Sequence, residues 1–369
     1  MKKILFVANV AKEHVLKFHV PTIKEFSDRG WIVDVACAGD EKIPFVNNQY
    51  NMEWKRSPFS LKMISGIRHL RKIIDDGKYD VIYCHTPVGG IAARIAAVSA
   101  RKQGTKVIYC AHGFHFYKGA PLLNWLVYYP IEKMMASFTD VIYTVNREDF
   151  NNARTHFNKR VKVELVPEVG VDFTRLNVED RVETRKHYRE QLRIPDDAFV
   201  MIYVAELIKN KNQGMLIDTL KILRDSGKDV YLLLPGPEHD NGYYLEYARN
   251  KGVADYCRFL GWRDDIGELM SAADVCTASS IREGFGINLI EAMYCGLPVV
   301  ATDNRGHEMI IVDQINGFLV RINDIETMAS RIKMLIDDDN IRKMFSSQNV
   351  SKYDSLIIAR QLNQLIAGE

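Results

Sequence analysis

Val275-Cys276-Thr277-Ala278-Ser279-Ser280-Ile281-Arg282-Glu283-Gly284-Phe285-Gly286-Ile287-Asn288-Leu289-Ile290-Glu291-Ala292, continued by Met293-Tyr294-Cys295-Gly296-Leu297-Pro298-Val299-Val300-Ala301-Thr302, is the stretch whose reading decides the fold of this 369-residue chain. Val275 to Ala278 is a short apolar run, suited to a buried strand and too short for a helix. Gly284 and Gly286 punctuate the turn that follows. A helical pattern then runs from Ile287 to Cys295 and stops at Gly296, a good helix end. Val299 to Ala301 is again a buried strand. Strand, turn, helix, tight turn and strand in this order build a parallel sheet.

The same alternation extends outward in both directions. Val200 to Val204, Val230 to Leu234, Arg258 to Leu260 and Gly317 to Val320 read as further strands of one series. A separate series comprises Ile4 to Ala8, Ile32 to Ala38, Val81 to Cys84, Val107 to Cys110 and Val141 to Val145. Between these strands Ile64, Ile67, Leu70, Ile73 and Ile74 recur at helical spacing and end at Gly77. The pattern loosens from Val166 to Pro195, where Pro167 and Gly170 precede a charged segment, Asn177 to Arg193, that reads as a solvated helix. The fold class is therefore α/β, with two Rossmann-like doubly wound parallel-sheet domains facing across a cleft. Residues 1–168 form the first and 169–354 the second, and 355–369 are expected to return as a helix packed on the first.

Composition excludes several functions. With 47% hydrophobic and 26% charged residues the chain is an ordinary globular protein, and a formal charge of +2 gives no case for nucleic acid as a partner. Cys37, Cys84, Cys110, Cys257, Cys276 and Cys295 show no CxxC spacing and mostly sit in apolar runs, as free buried thiols of a reducing compartment do. The opening Met1-Lys2-Lys3 and Ile4 to Ala11 run straight into Lys12-Glu13-His14, which suits a first strand better than a cleaved signal. No run is long enough for a membrane-spanning helix. These readings place the chain in the cytoplasm, where it can lie against the inner face of the cell membrane.

Ligands of open parallel sheets bind beyond the carboxyl ends of the strands. Glu283 lies in such a place, on the turn before the helix that opens near Gly286. The free amides of Gly286, Ile287 and Asn288 and the positive end of the helix favour a phosphate. Glu283 can accept hydrogen bonds from sugar hydroxyls, and Glu291 further along can hold those of a ribose. Taken alone, the two glutamates read equally as ordinary surface residues.

The text from Glu283 to Thr302 resembles the E-G-F-G-x-x-x-x-E-A-M-x-x-G-x-P-V-V-A-T signature of retaining glycosyltransferases of the large family usually called family 4, which includes sucrose synthases, mannosyltransferases and capsule or exopolysaccharide enzymes. The resemblance spans nearly the whole chain, including Gly170-Val171-Asp172. It implies the two-domain GT-B fold, a nucleotide-sugar donor, and donor contacts from Gly284, Phe285, Gly286, Ile287, Asn288 and Glu291. A second matching place is Ala205-Glu206-Leu207-Ile208-Lys209-Asn210-Lys211-Asn212, where the family commonly reads G-R-L-x-x-x-K-G. Lys211 falls on the lysine that brackets the donor diphosphate. Glu206 stands where the arginine is common, as in a capsule-enzyme subgroup reading E-L-N-x-N-K-N, and Lys209 is the substitute phosphate contact. His112, in Cys110-Ala111-His112-Gly113, matches the histidine beside the transferred sugar, while His85 and His115 also suit packing roles.

The glycine pair that many relatives carry after the first strand is absent. In its place Lys12, His14, Lys17 and His19 form a basic stretch, which reads equally as a solvated helix start or as a site for a phosphorylated acceptor. Phe114 to Met135 is dense in aromatic residues, among them Trp125, Tyr128 and Tyr129. Core packing is the simpler reading, and an interfacial surface for a polyprenyl acceptor is the other. No HExxH or DxD motif is present, and Asp264-Asp265 and Asp337-Asp338-Asp339 read as solvated charge runs. No metal or other cofactor is therefore expected.

The expected function is transfer of a sugar from a UDP-sugar donor to a polyprenyl-pyrophosphate-linked saccharide acceptor, in capsule, exopolysaccharide or O-antigen synthesis. His112, Lys211 and Glu283 are the expected catalytic residues. A sugar-nucleotide epimerase can share this architecture, and so can a non-catalytic assembly subunit, for which Ala205 and Glu206 are the sequence support.

Overall fold

A computed structural model describes residues 1–54, 61–167, 170–239 and 241–368. The chain forms two units, Met1–Gly170 with Ser355–Glu369, and Val171–Asp354. The boundary read at 168 and 169 falls on two residues outside the described ones.

The first unit is a seven-stranded sheet in the order β3-β2-β1-β4-β5-β6-β7. Its strands are β1 (Lys3–Val10), β2 (Ile32–Ala38), β3 (Asn48–Asn51), β4 (Val81–His85), β5 (Lys106–Ala111), β6 (Val141–Thr144) and β7 (Lys162–Leu165), all paired in parallel. The central strands are apolar along their whole length because both faces are covered. Alternation divides their side chains between two layers: Leu5, Val7, Ile82, Cys84, Val107 and Tyr109 join one core, while Ile4, Phe6, Val81, Tyr83, Ile108 and Cys110 join the other. The helix Ser355–Ala367 closes the second layer with Ile358, Leu362 and Ile366, beside the helix Val20–Asp28. Gly170, at φ 76°, lets the chain pass this point: a Cβ there would lie 2.6 Å from the Ser355 Cα.

The second unit is a six-stranded parallel sheet in the order β10-β9-β8-β11-β12-β13. These strands are β8 (Phe199–Ile202), β9 (Val230–Pro235), β10 (Cys257–Gly261), β11 (Val275–Ala278), β12 (Val299–Thr302) and β13 (Phe318–Val320). All six were legible as apolar runs. The two strands that escaped the sequence reading are β3 and β7, the edges of the first sheet. Their sequences, Asn-Gln-Tyr-Asn and Lys-Val-Glu-Leu, are only half buried and carry no apolar run.

The charged segment before β8 is not simply solvated. In its helix, Arg181–Gln191, the Arg189 guanidinium is buried and donates to the carbonyls of Ala272, Pro195, Asp196 and Ala198 and to Asp274. A long side chain with five donors can satisfy several strand-end carbonyls at once, which explains why a charged helix is held here.

Candidate functional site

Strands β8 and β11 lie side by side, and the order of connections reverses between them, so the segments that leave their carboxyl ends diverge and open a crevice. The two segments are tied together by backbone and side-chain hydrogen bonds. Ile281 N donates to Asn210 O at 2.8 Å, Ser279 Oγ to Lys211 O at 2.8 Å and Asn210 Nδ2 to Arg282 O at 3.0 Å. This lattice brings Lys211 Nζ within 2.5 Å of Glu283 Oε1. Ser280 Oγ donates to the same carboxylate oxygen at 2.5 Å, and the buried Tyr203 hydroxyl lies 2.6 Å from Ser280 Oγ. Burial is the largest influence on the Glu283 carboxyl and would raise its pKa. The Lys211 ammonium, with His307 and the hydrogen bonds from Lys211 and Ser280, outweighs it and holds the group below the usual carboxylate range.

The helix Ile287–Tyr294 starts immediately beyond, from Gly286 in the left-handed region at φ 114°. Its first amides, Ile287 and Asn288, precede any intrahelical acceptor and offer an anion site. Gly306 is required by close approach, because a Cβ there would lie 2.7 Å from the Glu283 Cβ and 2.9 Å from the Phe285 amide nitrogen. Beside it His307 is fully buried, with Nδ1 donating to Thr302 O at 2.7 Å; its Nε2 has no partner among the described residues.

Other residues expected in the donor site take different places. Gly284 is half-buried on the turn after Glu283. Phe285 is core, 5% exposed, with its ring edge-on to Tyr353, so only its backbone can face a ligand. Glu291 is buried and paired with Arg175, a residue the sequence reading missed because it lies in the crossing segment, 116 positions away. Glu206 is exposed and its Oε2 is 4.0 Å from His239 Nε2. Lys209 lines an open cavity of about 910 Å³ together with Asn212, Met215, His239, Tyr243 and Asn323. The backbone at Ala205 is fixed from below by Gly236, whose Cβ would fall 1.8 Å from the Ala205 carbonyl oxygen.

In the first unit His112 follows β5 and is half-buried, with His85 Nδ1 at 3.3 Å from its Nε2. His14 and His19 are drawn to the same place, their Nε2 atoms 3.1 Å apart. This corrects the reading of a basic stretch. His19 is 1% exposed, and burial, with the neighbouring imidazoles His14 and His112, depresses its pKa well below the ordinary value. Burial and His112 bring His14 down to about 3. Both rings are neutral at pH 7, so of the four residues only Lys12 and Lys17 stay exposed as cations.

Comparison with known proteins agrees with this arrangement. The family profile "Glycosyl transferase 4-like" matches residues 3–146, and "Glycosyl transferases group 1" matches residues 184–351. The Bacillus subtilis protein provisionally named glycosyltransferase EpsD is 42% identical over 334 residues, which is 90% of this chain and 87% of EpsD. The chain is a group 1 glycosyltransferase. An Escherichia coli enzyme, UDP-Gal:alpha-D-GlcNAc-diphosphoundecaprenol alpha-1,3-galactosyltransferase, is 26% identical over 287 residues, covering 75% of this chain and 72% of the enzyme. The crystal structure of Anabaena HepE in complex with UDP superposes with a TM-score of 0.81 at 20% identity, covering 100% of both chains, and the fold is thus GT-B.

The glycosyltransferase also carries an exposed apolar helix, Leu122–Met135. Of the aromatic residues there, Trp125 and Tyr129 pack against the core, and Trp125 Nε1 donates to Tyr117 O at 3.2 Å, whereas Tyr128 is exposed and stacks on His115. Leu122, Leu123, Leu126 and Met134 are more exposed still, at 73%, 68%, 64% and 56%. On its inner side the buried Glu132 accepts from Arg94 Nη1 at 2.9 Å, and the Arg94 guanidinium lies over the Tyr109 ring. No helix among the described residues is long and apolar enough to cross a membrane.

Proposed function

We propose that this glycosyltransferase moves a sugar from a UDP-sugar to a saccharide carried on a polyprenyl diphosphate, with retention at the anomeric carbon, in the assembly of a bacterial exopolysaccharide, capsule or O-antigen. The observation that carries the reading is the Lys211–Glu283 pair at the β8–β11 crevice, beside the helix start at Gly286. An ammonium and two or more backbone amides suit a diphosphate, and a carboxylate held ionised suits sugar hydroxyls. Support for UDP and for a lipid-linked acceptor comes from the named activities of similar proteins: the Escherichia coli enzyme uses UDP-Gal on a diphosphoundecaprenol-linked sugar, and HepE binds UDP.

In this scheme the acceptor hydroxyl oxygen attacks the anomeric carbon from the face that the nucleotide leaves. The C–O bond to the acceptor forms as the C–O bond to the β-phosphate breaks, and the acceptor proton passes to the departing phosphate. Lys211 and the Ile287 and Asn288 amides offset the charge that develops on the diphosphate, with Lys209 as a further cation. Glu283 orients the sugar, and Glu291 with Arg175 holds the ribose side. No metal is required at the donor diphosphate, because protein groups supply the positive charge. The exposed leucines of Leu122–Met135, with Lys12 and Lys17, dock the protein on the inner leaflet that carries the acceptor.

The test is slow hydrolysis of UDP- and GDP-sugars in the absence of acceptor, together with UDP binding. The expected outcome is hydrolysis of one UDP-sugar, and UDP affinity that is the same with and without added magnesium or manganese. Hydrolysis of GDP-sugars alone, or UDP binding only when a metal is added, overturns the donor reading.

A further inference from the structure

Four imidazoles meet at the carboxyl ends of three adjacent strands. His14 and His19 come from the segment after β1, His85 is the last residue of β4, and His112 follows β5. Each directs a ring nitrogen to a common centre, and these four atoms all lie within 4.8 Å of one another. His14 Nε2 lies 3.1 Å from His19 Nε2, and His85 Nδ1 lies 3.3 Å from His112 Nε2. A tetrahedral ion held by imidazole at about 2.0–2.1 Å places its ligand nitrogens roughly 3.3–3.4 Å apart. These two separations are already close to that length, and rotamer adjustments smaller than a bond length or two bring the others in.

The surroundings favour the same use. His85 is completely enclosed, and its Nδ1 is the edge turned to His112, at 3.3 Å from His112 Nε2. Thr86, next to His85, is held at φ 63°, an uncommon conformation for a β-branched residue and one that the surrounding structure must enforce.

We propose that His14, His19, His85 and His112 bind one divalent transition-metal ion of the zinc class, which ties the segments after β1, β4 and β5 into a single cluster. An all-imidazole donor set selects zinc, cobalt, nickel or copper over magnesium and calcium, which take oxygen ligands. Four protein ligands close the coordination sphere, so the ion organises the first unit and performs no chemistry on the donor. The inference revises the expectation of no metal site, which rested on motifs within single stretches of sequence. It shares with the donor reading only His112, which the family resemblance places beside the transferred sugar, since Lys211 and Glu283 belong to the other unit.

The test uses the full chain made without a polyhistidine tag, stripped with a chelator and titrated with Co²⁺ and Zn²⁺. One equivalent of Co²⁺ should give the visible ligand-field bands of a tetrahedral nitrogen site, and Zn²⁺ should displace it and raise Tm. The family resemblance also places His112 beside the transferred sugar, so the variants are His14→Gln, at the other half-buried member, and His14→Gln with His19→Gln. Zinc affinity should fall at least roughly 10–100-fold in the single variant, as for other damaged metal sites, and the cobalt bands should vanish in the double. Absence of tetrahedral cobalt bands in the wild-type protein overturns the proposal whatever the variants do. So does a zinc stoichiometry and affinity unchanged in His14→Gln.

Discussion

Lys211 and Glu283 neutralise one another across two segments that are far apart in sequence, and this has a consequence for catalysis. A donor diphosphate must share or take over the ammonium, and Glu283 is then free to turn to the sugar. Because Glu283 is partly buried, removing Lys211 removes both the charge at the phosphates and the group that keeps the carboxylate ionised. Lys211→Ala should therefore lower turnover by roughly two to four orders of magnitude, the scale for loss of one charge-stabilising group. Lys211→Arg, which keeps the charge, should recover part of the loss. Near wild-type turnover in Lys211→Ala, measured as donor hydrolysis, would take this residue out of the mechanism. The placement of Lys211 on a donor loop was legible from the family resemblance, but its partner was not, since nothing local in either segment points to the other. Arg175 and His307 illustrate the same limit: neither sits in a motif, and each reaches the site only because strand ends converge.

At the scale of elements, the helix Leu122–Met135 turns one face inward and one outward. Inward, the Arg94–Glu132 pair and the packing of Trp125 and Tyr129 anchor it to the sheet. With 3.6 residues per turn, Leu122, Leu123, Leu126, Pro130 and Met134 then share the opposite face, with Lys133 among them. An apolar stripe of this kind on a surface helix has a large cost in water, up to about 1.5–3 kcal/mol for each leucine that could be buried. Leu123→Ser with Leu126→Ser should abolish sedimentation with anionic vesicles at every salt concentration and leave the far-ultraviolet circular dichroism unchanged. Lys12→Glu with Lys17→Glu should remove only the part that weakens as salt rises. Vesicle binding that survives the leucine substitutions would assign the helix face another role. Sequence alone favoured core packing for this segment, with an interfacial surface as the other reading, because aromatic density was visible and the direction of each side chain was not.

At the scale of the whole molecule, each sheet carries its own core, and the two units are therefore expected to unfold separately. The first is completed by chain from the far end: Leu362 is 2% exposed in the layer that holds Ile4, Phe6 and Phe26. Leu362→Ala should cost about 2–5 kcal/mol, which lowers the thermal transition of that unit by roughly 5–15 °C. UDP binding, assigned to the other unit, should keep its affinity below that transition. Equal loss of UDP affinity and of the first unit's stability would mean that the two units do not unfold independently. No change in any transition would show that the helix Ser355–Ala367 contributes little to the core.

What sequence determines by itself here is the parallel α/β architecture, because strands buried on both faces must be apolar throughout and helices between them must be apolar at every third or fourth position. Those are local properties, and the interior strands of both sheets display them. The half-exposed edge strands β3 and β7 do not, and were legible only once paired with a neighbour. Which strand ends lie side by side is decided by the order of the sheet, a long-range choice that no local pattern encodes. That order puts Lys211 beside Glu283 across β8 and β11, and gathers His14, His19, His85 and His112 across β1, β4 and β5. Tertiary structure also decides depth: the same His19 that reads as a surface cation in a basic stretch is enclosed and neutral, because burial penalises the charged imidazole and the neighbouring His14 and His112 rings act in the same direction.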